Sequence, residues 1–249
     1  MRKKIVAGNW KMNLDLNQGE KLLKELLEKK INQEVTTVIA PPYIHLSSFR
    51  ELISNSTIKL AAQNCHQQEN GAYTGEISIG MLKSVGVEYV IVGHSERREY
   101  FLEDSLALSF KVTNLINQGM NPIYCCGETL SQRKDGDHFS VIKKQIEQGL
   151  FQLNEMELSQ CIIAYEPVWA IGTGETATPE QAQEIHHHIR KTIANQYGEI
   201  IANLIPILYG GSVKPNNAKE LFSCSDIDGG LIGGAALNAS SFADIINSF

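Results

Sequence analysis

The chain has 249 residues, 43% of them hydrophobic and 20% charged, and carries a net charge of −6. That balance excludes a disordered or fibrous chain, and the length suits one α/β barrel. Lysines at 3–4, 29–30 and 143–144 stand in isolated pairs, so there is no basic stripe for nucleic acid; apolar runs such as 89–92 and 204–208 fall far short of the ~20 residues that cross a bilayer.

The N-terminus Met1-Arg2-Lys3-Lys4 is basic, but residues 5–7 run into Gly8-Asn9-Trp10-Lys11 with no apolar segment long enough for a signal peptide, which predicts a cytoplasmic protein. Short apolar runs recur along the chain at 4–7, 37–40, 59–62, 89–92, 122–126, 161–165, 205–209 and 230–232, giving eight candidate strands. They are apolar on both faces, as parallel strands buried under helices must be, which disfavours an antiparallel sandwich. After the first run, Asn17-x-x-Glu20 reads as a capping box, with Leu22, Leu23, Leu26 and Leu27 in one stripe ending at Lys29-Lys30. After the sixth, Thr178 reads as an N-cap, Pro179 as the first helical residue and Gln181 as the capping-box partner, followed by Ala182, Ile185, Ile189 and Ile193 on one face. Strand then helix, repeated, predicts a (β/α)8 barrel forming a single domain over residues 1–249. Five cysteines without C-x-x-C spacing, two of them adjacent at 125 and 126, predict reduced, buried thiols, neither a disulfide framework nor a zinc site.

In such a barrel the chemistry gathers at the C-terminal ends of the strands. The polar residues there are Asn9 and Lys11 after the first run, His94 after the fourth and Glu166 after the sixth, with glycine pairs Gly210-Gly211 and Gly233-Gly234 after the last two. Paired glycines on consecutive strands, with Ser212, suit a phosphate held by backbone N–H groups. Lys11 supplies a cation for a phosphate or a developing oxyanion. Glu166 follows an apolar strand, and desolvation there is expected to raise its proton affinity toward that of a working base. His94 precedes a helix start, where N–H groups disfavour imidazolium, so a neutral histidine donor is expected.

Other patterns compete. Gly172-Thr173-Gly174-Glu175-Thr176-Ala177 matches a dinucleotide-binding fingerprint, but residues 167–171 separate it from the strand and the helix cap comes only at Thr178. His186-His187-His188 lies on a helix where consecutive residues point about 100° apart, so a solvated face is expected in place of a metal site. Glu96-Arg97-Arg98-Glu99 reads as a surface or interface ion-pair cluster, with Glu96 a supporting partner of Lys11.

Taken in order, Gly8-Asn9-Trp10-Lys11, Ala62-Gln63-Asn64, Gly93-His94-Ser95-Glu96-Arg97-Arg98, Ala164-Tyr165-Glu166-Pro167-Val168-Trp169-Ala170-Ile171-Gly172-Thr173-Gly174, Tyr209-Gly210-Gly211-Ser212-Val213 and Gly233-Gly234 closely resemble the triosephosphate isomerase family over nearly the whole chain. The resemblance implies a TIM barrel that interconverts D-glyceraldehyde 3-phosphate and dihydroxyacetone phosphate, in glycolysis and gluconeogenesis, through an enediolate. The roles come with it: Glu166 as base, neutral His94 at the enediolate oxygens, Lys11 and Asn9 stabilising the charge. Gly172, Ser212, Gly233 and Gly234 would bind phosphate, and Pro167 to Gly174, within residues 167–177, would form a lid that excludes water. No metal or organic cofactor is implied. A homodimer is, through the 68–76 loop from Gln68 to Glu76, with Tyr73, Thr74 and Gly75 reaching the neighbour. The chain departs from many relatives in Ile79-Gly80, where proline and alanine are frequent, in Ala236, where serine is, and in Glu175, which puts negative charge near a dianion site. A metal-dependent pentose phosphate epimerase would share the barrel and glycine pairs but needs converging His and Asp ligands, and His94 is the one histidine at a strand end; a barrel that binds phosphorylated ligands without turnover is a third reading.

Overall fold

The computed structural model describes residues 2–171 and 175–249. Eight parallel strands close into a barrel in chain order: β1 (Lys4–Asn9), β2 (Val35–Ala40), β3 (Lys59–Ala62), β4 (Tyr89–Val92), β5 (Asn121–Cys126), β6 (Ile162–Tyr165), β7 (Ile207–Tyr209) and β8 (Gly229–Ile232). This is the (β/α)8 class expected from the sequence, and each expected strand is present with ends moved by at most two residues. The largest gains, two residues each, are at β1, which continues through Asn9 because Gly8 and Asn9 pair with Ile39 and Ala40, and at β2, which starts at Val35 opposite Lys4.

The uniform apolarity of the strands has a physical cause, since alternate side chains enter two separate cores. Ile5, Ala7, Val38, Ile91, Ile123, Cys125, Ala164 and Leu208 pack together as one cluster. Their neighbours Val6, Ile39, Val90, Val92, Tyr124, Cys126 and Ile163 join a second, larger cluster with the helices. The ring closes where Ile5 pairs with Gly229. Only glycine serves at that seam: Gly229 has φ +140°, and a Cβ there would lie 1.9 Å from the Ile5 carbonyl oxygen.

The first helix spans Leu16–Leu27, two residues earlier than its expected capping box. Asp15 is the N-cap: its carboxylate accepts the Gln18 N–H at 2.9 Å, and Gln18 Oε1 accepts the Asp15 N–H at 3.1 Å. An acidic cap at the positive end of the helix displaces the Asn17 and Glu20 pairing. The Pro179–Ala202 helix begins as expected, Thr178 Oγ1 accepting the Gln181 N–H at 3.2 Å, and is interrupted at Gly198 (φ 80°). Ser78 caps the Ile79–Ser84 helix, and Ile79 is buried, which anchors the chain just after the 68–76 loop.

The three consecutive histidines do not form a solvated face. His186 is fully buried with Nδ1 3.2 Å from the Asp226 carbonyl; His188 is half-buried with Nε2 3.0 Å from the Phe139 carbonyl; His187 is exposed beside the Asp226 carboxylate. Four of the five cysteines are buried, Cys224 is half-buried, and all five are unpaired.

Candidate active site

The C-terminal ends of the strands open into a cleft of about 840 Å³ lined by Asn9, Lys11, His94, Glu166, Ser212, Gly233 and Gly234, among others. All the site residues read from strand ends therefore share one space. Gly172, with Thr173 and Gly174 of the expected lid, lies outside the described residues.

Asn9 ends β1 almost buried, and its Oδ1 accepts the Lys11 N–H at 3.0 Å. Lys11 has φ 52°, unusual for a residue with a side chain, and its Nζ meets Glu96 Oε1 at 2.6 Å. His94 caps the Ser95–Tyr100 helix: its Nδ1 accepts the Glu96 N–H at 3.3 Å, which leaves the ring proton on Nε2. That Nε2 lies 2.9 Å from Glu166 Oε1, and Glu166 Oε2 accepts the Ser95 N–H at 2.8 Å. The backbone of Glu166 is tied to β5 through its N–H to the Cys126 carbonyl at 2.7 Å. Gly210 lets the next strand end approach, since a Cβ there would lie 2.9 Å from Glu166 Cγ.

Burial disfavours charge on both members of the His94–Glu166 pair. At Glu166 burial pulls the carboxyl upward, as expected from its strand-end position. His94, the Ser95 N–H and Lys11 outweigh it, so the carboxyl is held below its ordinary value. The sequence expectation of a raised carboxyl fails because it counted desolvation without the partners that the fold delivers. At His94 burial pulls downward, and the Glu166 carboxylate, by charge and hydrogen bond, prevails and draws the ring upward while the two remain paired. The backbone N–H facing Nδ1 opposes a second proton. The contact at Nδ1 thus sets the tautomer of the neutral ring, with its proton on Nε2 and facing the Glu166 carboxylate.

Beside the cleft stands a carboxylate missed in the sequence. Glu128 is fully buried, and its Oε1 accepts from Trp169 Nε1 at 2.8 Å, Tyr165 OH at 3.0 Å and Arg133 Nη1 at 3.0 Å. Its carbonyl accepts the Val168 N–H at 3.1 Å, and the Arg133 guanidinium lies over the Trp169 ring. The first part of the expected lid, with the short 3-10 turn Val168–Ala170, is fastened there. Two residues past β5, Glu128 was visible to the same strand-end rule that found Glu166.

The 96–99 charge run is a surface cluster only in part: Glu99 is exposed, whereas Glu96, Arg97 and Arg98 are half-buried. Arg97 pairs with Glu103 at 2.7 Å, and Arg98 donates to the Gly93 carbonyl at 2.8 Å and the Cys125 carbonyl at 2.8 Å, holding the ends of β4 and β5 under His94.

A barrel whose mouth gathers a carboxylate, an imidazole donor and an ammonium ion beside glycine-rich turns has the equipment of an enzyme that moves protons on a small anionic substrate. Comparison with known proteins gives the particular one. The family model of triosephosphate isomerase matches residues 4–249. The triosephosphate isomerase of Flavobacterium psychrophilum is 53% identical over 248 residues, covering 99% of each chain. That of Cytophaga hutchinsonii is 51% identical over 252 residues, covering 100% of each, and that of Chloroherpeton thalassium 52% over 250, covering 100% of this chain and 99% of the other. The chain belongs to the triosephosphate isomerase family.

Proposed function

We propose that the residues in the cleft divide the isomerase reaction among themselves as follows. The reaction interconverts D-glyceraldehyde 3-phosphate and dihydroxyacetone phosphate, a step of glycolysis and gluconeogenesis. Glu166, ionised and poorly solvated, removes the proton from the carbon beside the carbonyl and returns it to the neighbouring carbon. His94 donates from Nε2 to the oxygen on which charge develops, and Nδ1, engaged by the Glu96 N–H, fixes that tautomer. Lys11 offsets the enediolate charge and, with Asn9, attracts the substrate; Glu96 steadies the ammonium until the substrate arrives. Backbone N–H groups at Gly172, Ser212, Gly233 and Gly234 take the phosphate. Residues 167–177 close over it, sparing the enediolate from loss of phosphate.

One observation carries this reading: Glu166, His94 and Lys11 converge on one cleft with Ser212 and the Gly233-Gly234 pair. Turnover by wild type and Glu166→Gln in a coupled assay, with a chelator present, tests it. The variant should lose roughly 10² to 10⁴ in kcat, the usual worth of a positioned base; near-normal turnover by a folded variant refutes the assignment.

The single catalytic domain is taken to span residues 1–249 and to work in the cytoplasm as a homodimer joined through the 68–76 loop. Large apolar side chains support the dimer: Met12, Ile44, Tyr73 and Tyr100 are exposed on the segments following β1, β2, β3 and β4 respectively, on one side of the barrel mouth. Among the described residues, no helix is long and apolar enough to cross a membrane. Sedimentation should give a species of twice the chain mass, and a fully active monomer would refute the dimer.

A further inference from the structure

A second lysine lines the cleft, at a position that the strand-end reading passed over. Lys214 stands two residues past Ser212, exposed, at the start of the Pro215–Phe222 helix. Its backbone is extended; its N–H donates to Asn217 Oδ1 at 2.7 Å, and its carbonyl accepts the Asn217 N–H at 3.1 Å. The side chain takes no part in that cap, and among the described residues its ammonium has no carboxylate partner. The loop therefore fixes where the side chain starts and leaves its charge unengaged.

The neighbouring charges give this ammonium a consequence. The charged side chains lining the cleft, among the described residues, are Lys11, Glu166 and Lys214. Lys11 lies 2.6 Å from Glu96, so seen from a distance those two charges cancel. In the working form proposed above, with Glu166 ionised and His94 neutral, the charge that remains is the Glu166 carboxylate, and Lys214 offsets it. Without Lys214 the mouth is negative, on a chain whose net charge is −6. A phosphate monoester is close to a dianion at neutral pH, and it would meet that repulsion on entering.

We infer that Lys214 relieves the repulsion between the Glu166 carboxylate and the incoming substrate dianion, and so speeds entry into the cleft without taking part in the chemistry. The inference rests on the cleft reading above, and its test is separate from that of Glu166. Lys214→Met keeps the length of the stem and removes the charge, and Lys214→Glu reverses it; urea unfolding checks that both fold. For these and the wild type, kcat and KM for D-glyceraldehyde 3-phosphate are measured at ionic strengths of about 10 mM and about 1 M, where the Debye length is ~30 Å and ~3 Å. D-glyceraldehyde, the same aldose without its phosphate, is the uncharged control.

At the lower ionic strength kcat/KM should fall roughly 3- to 10-fold in Lys214→Met, the scale of one unit charge facing a dianion about 8 Å away through water. In Lys214→Glu it should fall by about the square of that factor. At the higher ionic strength the three enzymes should agree within about twofold. Neither kcat nor the turnover of D-glyceraldehyde should fall. A Lys214→Met enzyme that matches wild type at low ionic strength overturns the inference. So does a loss that persists in high salt, the mark of a direct contact with bound phosphate, or one shared by D-glyceraldehyde, the mark of a structural part. Full turnover by Glu166→Gln would overturn the cleft reading and this inference with it, whereas a silent Lys214→Met leaves the cleft reading standing. Should Lys214→Met fail to fold, Lys214→Gln, equally neutral, is judged by the same outcomes.

Discussion

Mild acid should weaken this barrel through His186. Burial pushes the ring down from 6.5 to about 3, with the Arg190 charge adding to it and the Asp226 carbonyl opposing. The unfolded chain takes up a proton on this histidine below about pH 6.5, whereas the folded protein does not until about pH 3. The stability tied to the neutral ring is therefore fully present above 6.5 and is lost as the pH falls, at about 1.36 kcal/mol per unit. At pH 4.5, two units below the unfolded value, the loss comes to about 2.7 kcal/mol. His186→Gln supplies the comparison: its amide can still donate to the Asp226 carbonyl, and it does not titrate. Urea unfolding of both proteins at pH 7 and pH 4.5 should show the stability difference moving by about 2.7 kcal/mol in favour of the variant at the lower pH. A difference that does not change with pH refutes the argument. The effect bears on function because the ring packs at 5.8 Å from Tyr165 and 6.3 Å from Tyr209, whose next residues are Glu166 and Gly210.

Two further outcomes follow from the site. The acid limb of kcat/KM, which reports the free enzyme's base, should lie below the ordinary carboxylate value of 4.5, since Glu166 is held down by His94 and the Ser95 N–H; a limb above it, from pH–rate profiles, would mean that desolvation wins. Removing the carboxylate in Glu128→Ala should cost roughly 3–5 kcal/mol in urea unfolding, because Arg133 keeps a charge with no buried partner. It should also alter Trp169 fluorescence and raise KM; an unchanged emission spectrum would separate Glu128 from the lid.

The barrel was legible because strands buried on both faces read as short apolar runs, and the strand-end rule then led to Asn9, Lys11, His94 and Glu166. What stayed hidden depends on partners remote in sequence. His186 is buried by Asp226 and by two strand-end tyrosines 21 and 23 residues away, which helical periodicity cannot reveal. Arg98 reads as one member of a surface or interface ion-pair cluster until β5 arrives to offer the Cys125 carbonyl. The capping box went to the wrong pair because Asp15 with Gln18 and Asn17 with Glu20 fit the same spacing, and the sequence does not say which pair meets the free N–H groups.

The glycine seam between β1 and β8 sets an order on the birth of the molecule. Some 220 residues separate Asn9 from Gly229, so at ~5–20 residues per second the first strand leaves the ribosome on the order of 10–45 s before its last neighbour exists. Through that interval the growing sheet has two bare edges, and a chain cut short before residue 229 keeps both. Truncation near the C-terminus is therefore more dangerous than its small share of the sequence suggests: it leaves a curved sheet able to recruit its siblings.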